Sequence, residues 1–329
     1  MRERDRKAES MSEPTVKVVE KENVLISLGD CQVTIQPQFG GKVSSIVVRG
    51  HELMQQPLAP FAPRTRTMSF DRGDASGWDE CLPSVSGCTV KTADGSAEVP
   101  DHGDLWRVEW QVLNSTDTSI TLRGDCFSLP LSLVRTVTLT QSEKGYRIHA
   151  DYRLTNTGSA ATPWLWSAHP GYAAEEGDIL QLPDSIQALR LEWSRNNRIG
   201  KGGDTVAWPL AKLTAGGETD LRVSAEAHSG VGDKLFAGPL TASQNWVSLE
   251  RLKAGVRLRV SFDATATPYL GLWICQDGYP EGDRVKQHCV AMEPTTAPVD
   301  SLGIDGPWSR SLGAGECFSW PMTLDLELL

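Results

Sequence analysis

The chain has 329 residues, a formal net charge of −10, 40% hydrophobic and 22% charged residues, the proportions of a soluble globular protein with a large core. The acidic balance argues against nucleic acid or an anionic membrane as a partner, and no apolar run approaches the ~20 residues that span a bilayer. Seven cysteines, an odd number with no Cys-x-x-Cys, point to reduced thiols in a cytoplasm rather than a disulfide framework or a zinc site.

Residues 1–22 are rich in Arg, Lys and Glu and contain no apolar h-region, so they read as a disordered leader and not as a signal peptide. From Val24 onward the hydrophobic period is two far more often than three to four. Cys31 to Gln36 alternates, Gly40-Gly41 makes a turn, and Val43 to Val48 forms the next strand. The proline-rich stretch Pro57 to Pro63 reads as loop. Arg64, Arg66 and Arg72 follow, then Gly77-Trp78-Asp79-Glu80-Cys81-Leu82-Pro83, all without a regular period. This reads as one long polar and aromatic loop, of the kind that carries function. Pro100 to Arg107, with His102 inside it, reads as a second such loop.

Strands are then expected at Arg107–Leu113, Ser119–Arg123, Leu131–Thr140 and Tyr146–Asn156. In the last, Tyr146, Ile148, Ala150, Tyr152 and Leu154 share one face while Arg147, His149, Asp151 and Arg153 share the other, the mark of a half-solvated antiparallel strand. His149 therefore reads as a surface residue. Trp164 to Tyr172 reads as a buried strand with His169 at its end, where Pro170-Gly171 begins a turn. The flanking tryptophans, Trp166 among them, offer flat apolar faces on which a sugar ring stacks. Residues 184–230 are weakly patterned and rich in Gly-Gly pairs. Strands return at Trp246–Arg251, Val256–Asp263, Tyr269–Cys275, Cys289–Glu293 and Cys317–Leu328. Many short strands, few helices and no linker predict an all-β protein, one large antiparallel β-sandwich domain over 23–329.

No nucleotide-binding, Walker or Gly-x-Ser-x-Gly pattern is present, and the histidines lack metal-ligand spacing. What remains are polar groups in apolar or Gly/Pro surroundings: His102, His169, Asp233 after Gly232, and Glu293 after Cys-Val-Ala-Met. A buried Glu293 would have a raised pKa, in the range useful for a general base. The ordinary alternatives are a core histidine, a turn-forming Asp233 and an exposed strand end at Glu293.

Asp101-His102-Gly103-Asp104-Leu105-Trp106-Arg107, Ala168-His169-Pro170, Gly232-Asp233-Lys234-Leu235-Phe236 and Met292-Glu293-Pro294 occur in that order. Together with Phe39 to Val43 and Gly77 to Pro83, they resemble the aldose 1-epimerase (galactose mutarotase-like) family in its divergent bacterial form. The resemblance spans residues 24 to 329. It implies the galactose mutarotase-like supersandwich and a cofactor-independent, metal-free isomerase acting on a small-molecule sugar, an aldose or a sugar phosphate, as a monomer or homodimer. It further implies Glu293 as general base, His169 as general acid, His102 as a second imidazole near the ring oxygen, and Asp233 as a ligand of sugar hydroxyls. Arg72, with Arg66 next, stands in for a substrate-binding arginine, and Trp78, Asp79 and Glu80 join it as candidate sugar contacts. Two other readings are kept open: a non-catalytic carbohydrate-binding protein on the same fold, and a glycosidase or lyase using Asp79, Glu80 or Asp101.

Overall fold

The computed structural model describes residues 23–329, so the expected leader at 1–22 lies outside the described residues. Two antiparallel sheets dominate, one of 11 strands and one of 8. Regular helix among the described residues is confined to four short 3₁₀ turns, and no helix is long and apolar enough to cross a membrane. The all-β expectation holds.

The smaller sheet shows why alternation is informative. Leu131–Ser142, Gly145–Asn156 and Cys317–Leu328 lie side by side over twelve residues each. Tyr146, Ile148, Ala150, Tyr152 and Leu154 are buried as the period of two requires, while His149 is only partly covered. Their buried faces meet the larger sheet in one continuous apolar cluster that includes Val33, Ile46, Leu272 and Met292 from that sheet. The side chains between the sheets are not all apolar. Arg135, from the smaller sheet, pairs with Glu80 of the larger at 2.9 Å with both side chains fully buried. Glu80 also accepts hydrogen bonds from Tyr152 Oη (3.0 Å) and Trp166 Nε1 (2.8 Å). The Arg135 guanidinium lies 5.2 Å from the Trp110 ring and 5.8 Å from the Trp78 ring. A buried charge is tolerated when it is paired and hydrogen-bonded, as the Glu80 carboxylate is here.

Three local expectations are corrected. Residues 78–81 are not loop: Trp78–Cys81 is an inner strand of the larger sheet, buried throughout. Covered on both faces and carrying two carboxylates, it shows neither alternation nor an apolar run. His169 does not end a strand, because Ser167–Ala173 runs on through Pro170-Gly171. Gly171 keeps the ladder, its N–H donating to Gly77 O and its carbonyl accepting from Gln55 N–H, both at 2.8 Å. The strand expected at Arg107–Leu113 begins later, at Gln111–Ser115, after a 3₁₀ turn at Leu105–Arg107.

Candidate functional site

The centre of the larger sheet sets five strands side by side: Trp78–Cys81, Ser167–Ala173, His288–Thr295, Tyr269–Gln276 and Val231–Ala237. Cross-strand neighbours share a face, so the register decides which side chains meet. His169 is opposite Asp79, and Glu293 is opposite Gly271. The pairs Ser167–Thr295 and Gly171–Ala291 fix a register that puts His169 across from Glu293. Ala168, Leu235, Leu272 and Met292, one residue out of phase, face the core. A polar row of Asp79, His169 and Glu293 thus stands on the face turned away from the other sheet.

Above this row is a cavity of about 620 Å³, its rim built by loops carrying Phe70 and Asp71, Asp101 and His102, and Tyr279 to Arg284. Glu293 is 1% exposed in the cavity floor. Lys234, two strands over and in register with Trp273 and Ala291, donates to Glu293 Oε2 and stands 3.8 Å from Asp300 Oδ1. The other carboxylate oxygen, Oε1, accepts no hydrogen bond and lies 3.8 Å from His169 Nε2. Burial raises the Glu293 carboxyl above the ordinary range, and Lys234 restrains that rise. Burial also pushes His169 well below the ordinary imidazole range, helped by His102, Lys234 and Lys42, so it is uncharged near neutral pH. Lys234 is held protonated: burial opposes its charge, but Asp300 and Glu293 more than offset this.

His102 stacks on Phe70 with ring centroids 3.7 Å apart and approaches His169 edge-on at 5.2 Å. Its Nδ1 is 2.8 Å from Asp101 Oδ2, which fixes the ring plane. Its φ of 59° lies in the left-handed region, a conformation uncommon outside glycine. Gly103 follows with φ 68° and passes so close to Leu82 that a Cβ would sit 2.3 Å from the Leu82 carbonyl oxygen. Opposite the histidines, Trp193 and Trp273 line the cavity with centroids 5.6 Å apart, and Trp273 Nε1 donates to Gln287 Oε1 at 2.8 Å.

Of the residues singled out in the sequence, His102, His169 and Glu293 line this cavity; Arg72, Trp78, Asp79, Glu80, Trp166 and Asp233 do not. Trp78, Glu80 and Trp166 project between the two sheets, one residue out of phase with the polar row. Asp233 faces the same side as Leu235, accepting from Ser194 Oγ at 2.6 Å and pairing with Arg198. Asp79 shares the row but is covered, paired with Lys42, which also meets Asp74 at 3.0 Å. Lys42 and Arg64 overcome burial to hold Asp74 down at about 2. Arg72 is exposed, and Arg66 lies over the Phe127 ring at 5.0 Å. The residues that sequence reading missed are Lys234, Asp300, Arg284, Trp193 and Trp273. For Lys234 a signal existed: a lysine enclosed by Val231–Gly232 and Leu235–Phe236 is out of place in a buried strand without a counter-charge. Among the described residues no group of three or more His, Cys, Asp or Glu side chains is disposed to hold a metal ion.

No family model matches the sequence, and no curated protein does. Solved structures do match. The Slr1438 protein of Synechocystis sp. PCC 6803 superposes with a TM-score of 0.69 at 16% identity, over 97% of this chain and 100% of that one. A galactose mutarotase-like protein from Lactobacillus casei gives 0.64 at 15% identity, over 93% and 100%. An aldose epimerase homologue from C. elegans gives 0.60 at 12% identity, over 94% and 100%. The chain has the galactose mutarotase-like sandwich fold, in a sequence far diverged from the proteins it superposes on.

Proposed function

We propose that the protein is an aldose 1-epimerase that interconverts the α and β anomers of an aldose or aldose phosphate by opening and reclosing the ring, with no cofactor. The observation that carries this reading is the meeting, in one cavity, of a bare carboxylate oxygen, Glu293 Oε1, and an imidazole nitrogen, His169 Nε2, 3.8 Å apart. The anomeric hydroxyl and the ring oxygen are bonded to the same carbon. A base and an acid that serve them must therefore face one small volume. Glu293 takes the anomeric proton as the C1–O5 bond breaks. His169, uncharged at rest, meets the charge growing on the ring oxygen with an N–H, as a neutral imidazole can. His169 gives that proton to the ring oxygen and recovers it on reclosure, and His102, fixed by Asp101, is the second imidazole hydrogen-bonding beside it. Rotation about C1–C2 and reclosure by the reverse steps give the other anomer. Trp193 and Trp273 supply apolar faces for the sugar's C–H groups. The seven free thiols agree with a cytoplasmic setting, and one domain over 23–329 goes with this reading.

Lys234 favours a second reading. A lysine on Glu293 makes the carboxylate a weaker base, which a carbohydrate-binding protein without catalysis would tolerate. An NMR exchange assay on a panel of free and phosphorylated aldoses separates the two. Anomer exchange above the buffer rate supports the epimerase; sugar binding with no acceleration on any aldose supports the binding protein.

A further inference from the structure

The charge of the cavity bears on which sugar it accepts. Six carboxylates line it: Asp71, Asp101, Glu192, Glu281, Glu293 and Asp300. Only two lining side chains are permanent cations, Lys234 and Arg284, and both are committed. Lys234 is bound to Glu293. Arg284 spans the mouth, its Nη1 3.2 Å from Asp71 Oδ2 and 3.0 Å from the Asp71 carbonyl, while its Nε donates to the Glu281 carbonyl at 3.2 Å. His169 is uncharged, and His102 is turned to Asp101. Beside Lys234, two carboxylates keep acceptor capacity toward the cavity. Glu293 Oε1 is buried without a hydrogen bond. Among the described residues the Asp300 carboxylate meets only Lys234, and that at 3.8 Å, with its side chain 16% exposed.

We propose that the cavity takes an aldose that is uncharged or carries a protonated amine, that it turns away aldoses bearing a phosphate or carboxylate, and that Asp300 is the residue that sets this preference. The proposal rests on the epimerase reading of the same site. A phosphate entering the cavity would find no lining cation without a partner and would face, at short range in a partly desolvated space, the Glu293 and Asp300 carboxylates, which share one ammonium. Like charges so placed reject a ligand more strongly than they would in water. Neutral hydroxyls donate to Asp300 at no such cost, and an ammonium group gains a charge-assisted hydrogen bond there. Phosphate recognition ordinarily presents a free guanidinium fork or ammonium, which this lining lacks.

The test uses the full-length protein with glucose and galactose, their 2-amino-2-deoxy, 6-phosphate and uronate derivatives, measured by NMR anomer exchange and by calorimetric binding. The expected result is exchange of the neutral sugars, binding of the amino sugars at least as tight, and binding of the phosphates and uronates weaker by roughly tenfold or more. In Asp300→Asn the anionic sugars should gain and the amino sugars lose, narrowing the gap several-fold. Anionic sugars bound as tightly as their neutral parents, or amino sugars bound more weakly, would overturn the proposal, and unchanged ratios in Asp300→Asn would overturn the part given to Asp300. Exchange of phosphates alone would leave the epimerase reading standing and remove the charge preference. Charge-ordered binding without exchange of any sugar would do the reverse, and absence of binding by every member would overturn both.

Discussion

Lys234 holds one oxygen of Glu293 and leaves the other bare. The ammonium group donates to Oε2, while Oε1 has no hydrogen-bond donor and faces His169 Nε2 at 3.8 Å. The carboxylate is thereby fixed in rotation with one acceptor aimed into the cavity. Orientation and charge both come from a residue that need not touch the reacting atoms.

The first expectation concerns that lysine. In Lys234→Met the counter-charge goes and the burial stays, so the Glu293 carboxyl, already raised by burial, rises further. A base must be ionised to act, so the acidic limb of kcat/KM should move to higher pH, with activity at neutral pH down roughly 10–10²-fold and partly recovered in alkali. The linkage for stability runs the same way. A carboxyl whose folded-state pKa is raised contributes stability that is complete below its unfolded pKa and is lost as pH rises through the folded value. The variant should therefore be closest to wild type in mild acid. Urea unfolding across pH checks this; a deficit that is the same at every pH would count against it.

Gly271 is the cross-strand neighbour of Glu293, and a methyl there would lie 2.8 Å from Glu293 Oε2 and 3.3 Å from both Glu293 Cβ and Phe236 Cε1. The carboxylate end is the part that can move. Gly271→Ala should displace it from Lys234 and cut kcat by at least tenfold while sugar binding changes little, since misplacement of a reacting group is felt in the chemical step. A full set of steady-state constants decides it.

How much of this was open to sequence reading follows from what each residue's neighbours are. Gly145–Asn156 announces itself because one face is wet and one is dry. Trp78–Cys81 is dry on both faces and holds its carboxylates by pairing them with Arg135 and Lys42, which lie far off in sequence. Nothing local reports such a pairing. His169 and Glu293 stand out as polar groups in apolar strands, but which neighbours share their face is a matter of register. That parity separates Lys234, in the cavity, from Asp233 beside it, which faces Ser194 and Arg198. It likewise moves the tryptophans of the cavity from Trp78 and Trp166 to Trp193 and Trp273.

The buried pair between the sheets is structural, and its removal should show in stability. Arg135→Met leaves Glu80 in the interior with only Tyr152 and Trp166 as donors. Loss of one partner of a buried ion pair costs about 3–5 kcal/mol. Arg135→Met with Glu80→Gln should recover much of that loss, because no uncompensated charge remains. Urea denaturation of the two single variants and the double variant gives the coupling.

At the cavity mouth the two arginines should behave differently. Arg72 is exposed and outside the lining, so Arg72→Ala should leave kcat and KM within about twofold, the usual range for a surface change. Arg284 ties the 281–284 loop to Asp71 across the mouth. Arg284→Ala should raise KM with little effect on kcat, the pattern expected when a group shapes entry rather than chemistry. A loss in Arg72→Ala larger than in Arg284→Ala would reverse this assignment.

The acid–base pair provides the last expectation. Glu293→Gln preserves shape and the hydrogen bond toward Lys234's side of the site, but it removes the basic oxygen that faces His169. kcat should fall by roughly 10²–10⁴, the ordinary worth of a positioned proton transfer. Sugar binding should largely persist, because Trp193, Trp273 and Asp300 remain in the lining. His169→Asn should fall into the same range. If the two side chains act on one anomeric centre, the double variant should lose far less than the product of the single losses, as residues acting in one unit do. Free sugars mutarotate slowly in water, so every rate is read against buffer alone. If wild type is active and Glu293→Gln matches it, the base is not Glu293, and Asp300, the other lining carboxylate beside Lys234, becomes the group to replace next. If the two losses multiply in full, Glu293 and His169 serve separate steps, and the single-centre mechanism fails even with both residues essential.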